Sequence, residues 1–183
     1  MTYTIIRSRR KTMTIEISGK GMVVKAPLRT GDPEIRAFVE RHRVWTERHL
    51  RKAEERRAAE KDITPLTEAE LRALQKQAAP VFQERVRHYA AKLGVTYGRI
   101  TVRHQRTKWG SCTAAGNLSF NCLLMLAPPE VLDSIVVHEL CHRKVMNHSE
   151  AFYAEVLRVF PDYRRWQKWL RENGHLLMKR LEA

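Results

Sequence analysis

Residues 138–148 read HELCHRKVMNH, and no other stretch constrains the fold of this chain as strongly. His138 and His142 are four apart, so on a helix their rings leave one face a turn apart and can converge on a single ion. Glu139 follows the first histidine directly, placed to reach a water at that ion's open position and act as general base. Such a pair needs a rigid support. Val131, Leu132, Ile135 and Val136 supply it, as an apolar stripe that would bury the same helix in a core. With eight histidines and sixteen glutamates in 183 residues, a chance H-E-x-x-H has odds of about 3%, so the surroundings must carry part of the argument.

A catalytic zinc commonly takes three protein ligands, and His148 is the leading third. On a continuous helix it would lie far around from His142, so the chain must turn. Asn147 tolerates the left-handed conformation that ends helices and Ser149 suits an N-cap, which predicts a helix that breaks near Asn147. The H-E-x-x-H-x-x-x-x-x-H spacing is that of metzincins, but Val145 stands where those proteases have glycine, so the turn must differ from theirs. Glu150, Glu155 and His175 compete for the third position. Cys141, one residue before His142, points about 100° away and reads as a packed thiol. His42, His49, His88 and His104 read as surface or hydrogen-bonded residues.

The rest of the chain reads as α+β, with short antiparallel sheets and packed helices. Tyr3 to Arg7, then Met13, Ile15 and Ile17, then Met22 to Ala26 after a Gly19-Lys20-Gly21 turn, alternate as strands do. Asp32-Pro33 resembles an N-cap with proline at the first helical position, opening a long helix with Ile35, Phe38, Val39, Trp45 and Leu50 on its apolar side and an end near Lys61. Residues 62–66, DITPL, form a joint between an N-terminal region 1–61 and a second region 67–183. Thr67 and Glu70 make a capping box for a helix that runs to Gly94, with a kink expected at Pro80. A strand at Ile100 to His104 follows, then a hairpin from RTKWGSC at 106–112 through Ala115-Gly116-Asn117 to the apolar run Leu118 to Leu126. Pro128-Pro129 launches the helix of the motif from Glu130. Beyond it Ser149 caps a helix with Phe152, Val156 and Phe160, and Pro161-Asp162 begins another with Trp166 and Leu170 that stops at Gly174.

Lysine and arginine number 34 against 20 acids, a net charge of +14. That balance allows nucleic acid as a partner, though glutamates interleave with the nine basic residues of 36–61 and make that stretch an ion-laced helix face. Cys112, Cys122 and Cys141 form no C-x-x-C pair and are expected as free thiols. No run of eighteen apolar residues suggests a membrane span and the basic N-terminus lacks an apolar segment after it, so a cytoplasmic location is expected. Oligomeric state has no signature in the sequence.

Taken together, R-T-K-W-G-S-C, a strand ending in A-P, and V-V-H-E-L-C-H-R-K-V-M-N-H-S-E-A-F resemble the YgjP-type family of predicted zinc metallopeptidases, related to the SprT-like proteases. The resemblance implies a minimal gluzincin-like zincin core, a metal at the positions matching His138, His142 and His148, and a base at Glu139. Trp109, Gly110 and Ser111 are candidate substrate-binding residues, because a strand on the rim of a zinc cleft can pair with an extended peptide and Gly110 admits another backbone. Trp109 reads equally well as core. Lys108, Tyr153 and His175 are candidates for stabilising the oxyanion. The expected activity is zinc-dependent hydrolysis of peptides or proteins. Its alternatives are a phosphoanhydride or phosphodiester hydrolase acting on nucleotides or nucleic acid, and a non-enzymatic nucleic-acid module with structural zinc. The chain has no P-loop or carboxylate cluster for magnesium, and no cysteine pairs to close a structural site, which ranks both lower.

Overall fold

The computed structural model describes residues 2–18 and 21–181, so the Gly19-Lys20 part of the first turn lies outside the described residues. Two compact units are present, Met1–Asp62 and Ile63–Ala183. No helix among the described residues is long and apolar enough to cross a membrane.

In the first unit, strands β1 (Thr4–Ser8), β2 (Thr14–Ser18) and β3 (Gly21–Pro27) form a sheet of order β1-β3-β2. Its central strand β3 alternates strictly, burying Met22, Val24 and Ala26 against Ile35 and Val39 of helix α1 (Asp32–Arg41). β2 pairs with β3 antiparallel, but β1 pairs with β3 parallel, so this sheet is mixed where an antiparallel one was expected. Period-two alternation fixes which face a strand buries and says nothing of which strand lies beside it. The N-cap is Gly31, one residue before the expected Asp32, with proline in the first turn. The expected single long helix is also divided: α1 ends at His42 (φ −102°, ψ 14°), and α2 (Arg43–Glu60) starts there. Thr46, buried, ties the joint by donating from Oγ1 to the His42 carbonyl at 2.9 Å. α2 is laced by ion pairs of Arg43 with Glu40 and Glu47 and of Arg51 with Glu55, and Trp45 is an exposed ring stacked on His49 instead of part of an apolar stripe.

The second unit opens with helix α3 (Glu68–Leu93), whose Thr67 and Glu70 form the full reciprocal capping box and whose end is a left-handed Gly94 at φ 67°. The helix continues through Pro80. Strands β4 (Ile100–Arg103), β5 (Gly110–Cys112) and β6 (Leu118–Asn121) make a second mixed sheet of order β4-β6-β5, with β4 parallel and β5 antiparallel to β6. The β5–β6 pair is the expected hairpin, but its second strand stops at Asn121 and Cys122–Leu126 coil into a 3-10 helix. The cause is Asn121 itself. Buried, its side chain accepts from the Leu123 N–H and donates to the carbonyls of Gln105 and Lys108, so it closes the strand and pins the loop leading to β5.

Helix α4 (Pro129–Cys141) runs through the middle of the core and is buried on nearly every side. Phe82 of α3 stacks on Phe120 of β6 at 4.6 Å between ring centroids, and Val131, Val136 and Leu140 of α4 join the same cluster. A helix so enclosed can hold a polar group only if it is fully partnered. Asp133, buried in α4, accepts a two-pronged bond from Arg85 and a third from the Tyr89 hydroxyl, both on α3, which sets the register of α4 on α3. Helices α5 (Glu150–Val159) and α6 (Tyr163–Lys179) complete the unit. α6 does not stop at Gly174. That glycine is buried mid-helix, and an added Cβ would meet the Trp109 ring at 3.0 Å, so its role is close packing, not termination.

Candidate metal centre

α4 carries His138 and Glu139, and His142 is its C-cap residue. As the four-residue spacing requires, the two imidazoles stand on one face with ring centroids 5.0 Å apart. The helix ends sooner than expected. Arg143 N–H reaches Leu140 O, Lys144 and Val145 N–H both reach Cys141 O, and the chain then leaves the helical path. No non-glycine residue among those described has a positive φ, so the break lies at His142 to Val145 and owes nothing to a left-handed Asn147. Two clamps shape this turn instead. Arg143 donates to the carbonyls of Thr96 and Ala114, and Lys144 pairs with Glu155 of α5 at 2.9 Å. Ser149 occupies the N-cap position of α5 without a side-chain capping bond.

The turn brings His148 back to the helix face. Its Nε2 lies 3.0 Å from Nε2 of His138, and one ring nitrogen from each of His138, His142 and His148 falls within 4.8 Å of the others. Tetrahedral nitrogens about 2.0–2.1 Å from zinc sit about 3.3 Å apart, so this donor set fits one ion. Among the described residues no other group joins them within metal-binding reach. Glu155 is engaged by Lys144 and Arg158. Burial, with the neighbouring imidazoles His142 and His148, pushes His138 down to about 4, and burial also lowers His142. Both rings are therefore neutral near pH 7, the form that offers a lone pair.

With Nε2 facing the cluster, the proton of each helical imidazole sits on Nδ1. His138 then donates to the Tyr163 hydroxyl at 2.7 Å, and His142 to the Val145 carbonyl at 3.2 Å. Tyr163 is buried at the start of α6, and burial raises its hydroxyl above the ordinary phenol range, which keeps it neutral. Beneath the site, the fully buried Phe152 ring lies 4.9, 4.7 and 4.9 Å from the rings of His138, His142 and His148. Tyr163 and Phe152 have no local sequence signature as supports, because 25 and 14 residues separate them from His138 and only the packing of α5 and α6 on α4 brings them in. Tyr163→Phe keeps the ring and deletes the acceptor of His138. It is expected to weaken metal binding about 10- to 100-fold, read by titration against a competing chelator, and unchanged affinity would show that Tyr163 does not orient the ligand.

An open cleft of about 340 Å³ collects Lys108, Gly110, Ser111, Cys112, His138, Glu139, His142, Met146 and His148. Glu139 is almost completely enclosed, and that burial pushes its carboxyl up to about 7 against the opposing pull of Lys108. The room it occupies exists because residue 110 has no side chain. A Cβ there would stand 2.6 Å from Glu139 Oε1, 2.8 Å from its Cγ and 2.9 Å from Ile135 Cγ2. Gly110 and Ser111 border the cleft, whereas Trp109 is not among its lining residues: half-buried, it packs against the core and Gly174, in line with the alternative reading of it as a core residue. Among the oxyanion candidates, Lys108 lines the cleft, whereas Tyr153, its ring 6.3 Å from that of His148, and His175 are not among the lining residues. Cys141 is a buried thiol, raised to about 12 by that burial.

The crystal structure of the metallopeptidase zymogen of Pyrococcus abyssi abylysin is 20% identical, covers 51% of this chain and 95% of its own, and superposes with a TM-score of 0.46. That of Methanocaldococcus jannaschii jannalysin, also a metallopeptidase zymogen, gives 20% identity, 51% and 96% coverage and a TM-score of 0.46. No curated protein matches the chain. The family model of the YgjP-like metallopeptidase domain matches residues 66–173. Since that match takes in more than half of the chain and the whole of the cleft, the protein belongs to the YgjP-like metallopeptidase family, a hydrolase whose chemistry calls for a divalent metal.

Proposed function

We propose that the protein is a zinc-dependent peptidase in which His138, His142 and His148 hold the ion and Glu139 is the general base. The observation that carries this reading is the convergence of three imidazole nitrogens within 4.8 Å in a cleft that also contains an enclosed carboxyl. Two or three neutral imidazoles with a position left open is the donor set of catalytic zinc, which when bound polarises a carbonyl and makes water acidic enough to attack near neutral pH. Glu139 takes the proton of the attacking water and passes it to the departing amine nitrogen. Burial raises its pKa above that of an ordinary carboxyl, which favours holding the proton between the two transfers. Lys108, the lysine among the residues lining the cleft, is the candidate for stabilising the developing negative charge.

The substrate is an extended polypeptide. β5 is an edge strand with β6 as its one strand neighbour among the described residues, and its Gly110 to Cys112 line the cleft. A peptide added there as a further strand gains main-chain hydrogen bonds and lays its scissile carbonyl beside the imidazoles. The test pairs metal analysis with turnover. The purified protein is expected to carry about one zinc per chain and to cleave a peptide library, and His148→Ala is expected to lose most of the zinc together with the activity. Full zinc content in His148→Ala would remove it as the third ligand. Nucleoside triphosphates belong in the same assay, since their turnover with no peptide cleavage would overturn the peptidase reading.

A further inference from the structure

From Arg85 to Pro129 the chain contains no aspartate or glutamate, while it carries Arg85, Arg87, Lys92, Arg99, Arg103, Arg106 and Lys108. This stretch holds the last part of α3 and all three strands of the second sheet. Part of its charge is consumed inside the unit. Arg85 pairs with Asp133, Arg106 donates to the Leu181 carbonyl, and Lys92 lies over the Tyr89 ring. Arg87, Arg99 and Arg103 have no ion pair among the described residues and are exposed. The arginines of α2 differ, since Arg43 and Arg51 are matched by glutamates on their own helix.

The unmatched arginines are grouped. Gln83, Arg87, Tyr97, Gly98, Arg99 and Ile100 line a hollow of about 390 Å³ with two guanidinium groups, a carboxamide and a half-open phenol ring. Ile100 and Val102 of β4 pack on the core, so strand alternation turns Arg99, Thr101 and Arg103 to the other face. Arg103 thus lies on the same face of this edge strand as Arg99, beyond the residues that line the hollow. Its loop is held in place: Gly98 N–H donates to Gly116 O at 2.8 Å, Arg99 N–H to Asn117 Oδ1 at 2.9 Å, and a Cβ at residue 98 would strike that same Oδ1 at 2.5 Å. Tyr97 and Arg99 are thus presented on a rigid support.

We infer that this basic edge, Arg87, Arg99 and Arg103 with the Tyr97 ring, binds the phosphate backbone of single-stranded nucleic acid. Arginines without carboxylate partners release counterions from a phosphate chain, and an exposed aromatic ring beside them offers a base a face to stack on, which a paired base in a duplex cannot use. An acidic polypeptide would satisfy the arginines but not the ring. β4 and β5 are opposite edges of the sheet, so nucleic acid at β4 leaves the cleft edge at β5 open. This inference stands on the charge and shape of the β4 edge and is independent of the peptidase reading.

The experiment is fluorescence anisotropy of the full-length protein with a labelled single-stranded oligonucleotide over a series of salt concentrations. Arg87→Ala/Arg99→Ala is expected to weaken binding at least tenfold at low salt and to reduce the slope of log K against log salt by about 1.4, about 0.7 for each lost phosphate contact. Tyr97→Ala is expected to weaken binding at least fivefold with the salt slope unchanged. Arg43→Ala/Arg51→Ala removes the same charge from α2 and is the control, with thermal melting confirming that each variant is folded. The proposal fails if the control loses as much affinity as Arg87→Ala/Arg99→Ala, if poly-glutamate competes as well as the oligonucleotide, or if duplex of the same length binds as tightly as the single strand. It fails equally if inorganic phosphate binds at the hollow and the oligonucleotide does not.

Discussion

Glu139→Gln is expected to keep the metal and lose peptide hydrolysis by about 10²- to 10⁴-fold. The substitution preserves the volume against Gly110 and Ile135, so the clearance of the cleft is unchanged, and it leaves His138, His142 and His148 in place. What disappears is the enclosed carboxyl that lines the cleft among the described residues, the group proposed to accept the proton of the attacking water. Metal content and kcat/KM measured on the same preparation separate the two functions. Full turnover in the variant would remove Glu139 as the base, and loss of the metal would make it part of the ligand set. A stability effect accompanies the catalytic one. Burial raises the folded-state pKa of Glu139 to about 7 from an ordinary 4.5, so between these values the folded protein binds the proton more tightly than the unfolded chain. Stability of the metal-stripped protein is therefore fully present below about pH 4.5 and declines as pH rises through 7. Glu139→Gln is expected to flatten this decline and to gain about 1–3 kcal/mol above pH 7, read by denaturant melts.

Gly110→Ala is expected to reduce turnover about 100-fold with the metal retained. The new methyl carbon would sit 2.6 Å from Glu139 Oε1 and 2.9 Å from Ile135 Cγ2, distances no Cβ tolerates. Ile135 is part of the packed α4 core and yields little, so strain falls on the carboxylate and on the short strand β5. Displacing a proton acceptor by about 1 Å can cost 10²-fold in rate, and overpacking adds a stability loss of about 1–3 kcal/mol. The histidines are not among the atoms nearest that methyl group, which is why the metal should stay. A double-mutant cycle distinguishes a displaced base from a damaged fold: Gly110→Ala should cost nothing further in kcat once Glu139→Gln is present. A wild-type kcat in Gly110→Ala, or full additivity with Glu139→Gln, would refute the positioning role.

Several features were legible because they are local. The capping box of Thr67 and Glu70, the left-handed stop at Gly94 and the apolar stripe under the HELCH segment follow from contacts within one or two turns of helix, and the structure reproduces each of them. The pairing of His138 with His142 is of the same kind. Where the reading relied on a residue's usual habit, packing overrode it. Gly174 resembled a helix stop but is the place where Trp109 lies against α6, and Asn147 resembled a left-handed corner although the turn is made by Arg143 and Lys144 reaching to other segments. The apolar run Leu118 to Leu126 reads as one strand until Asn121 is seen to be buried and bonded to Gln105 and Lys108.

By itself the sequence determined which residues share a helix face, where several helix ends fall, Thr67, Gly94 and Ser149 among them, and that two histidines and a glutamate stand together, since periodicity and capping act over a few residues. Only the tertiary structure decided the order of both sheets, with their parallel β1–β3 and β4–β6 pairs, the return of His148 to the helix, and the Tyr163 and Phe152 supports beneath it. It also decided that the missing side chain at residue 110 is the space in which Glu139 sits. Each of these joins residues far apart in the chain, and such contacts are selected by the packing of whole elements, which no local pattern encodes.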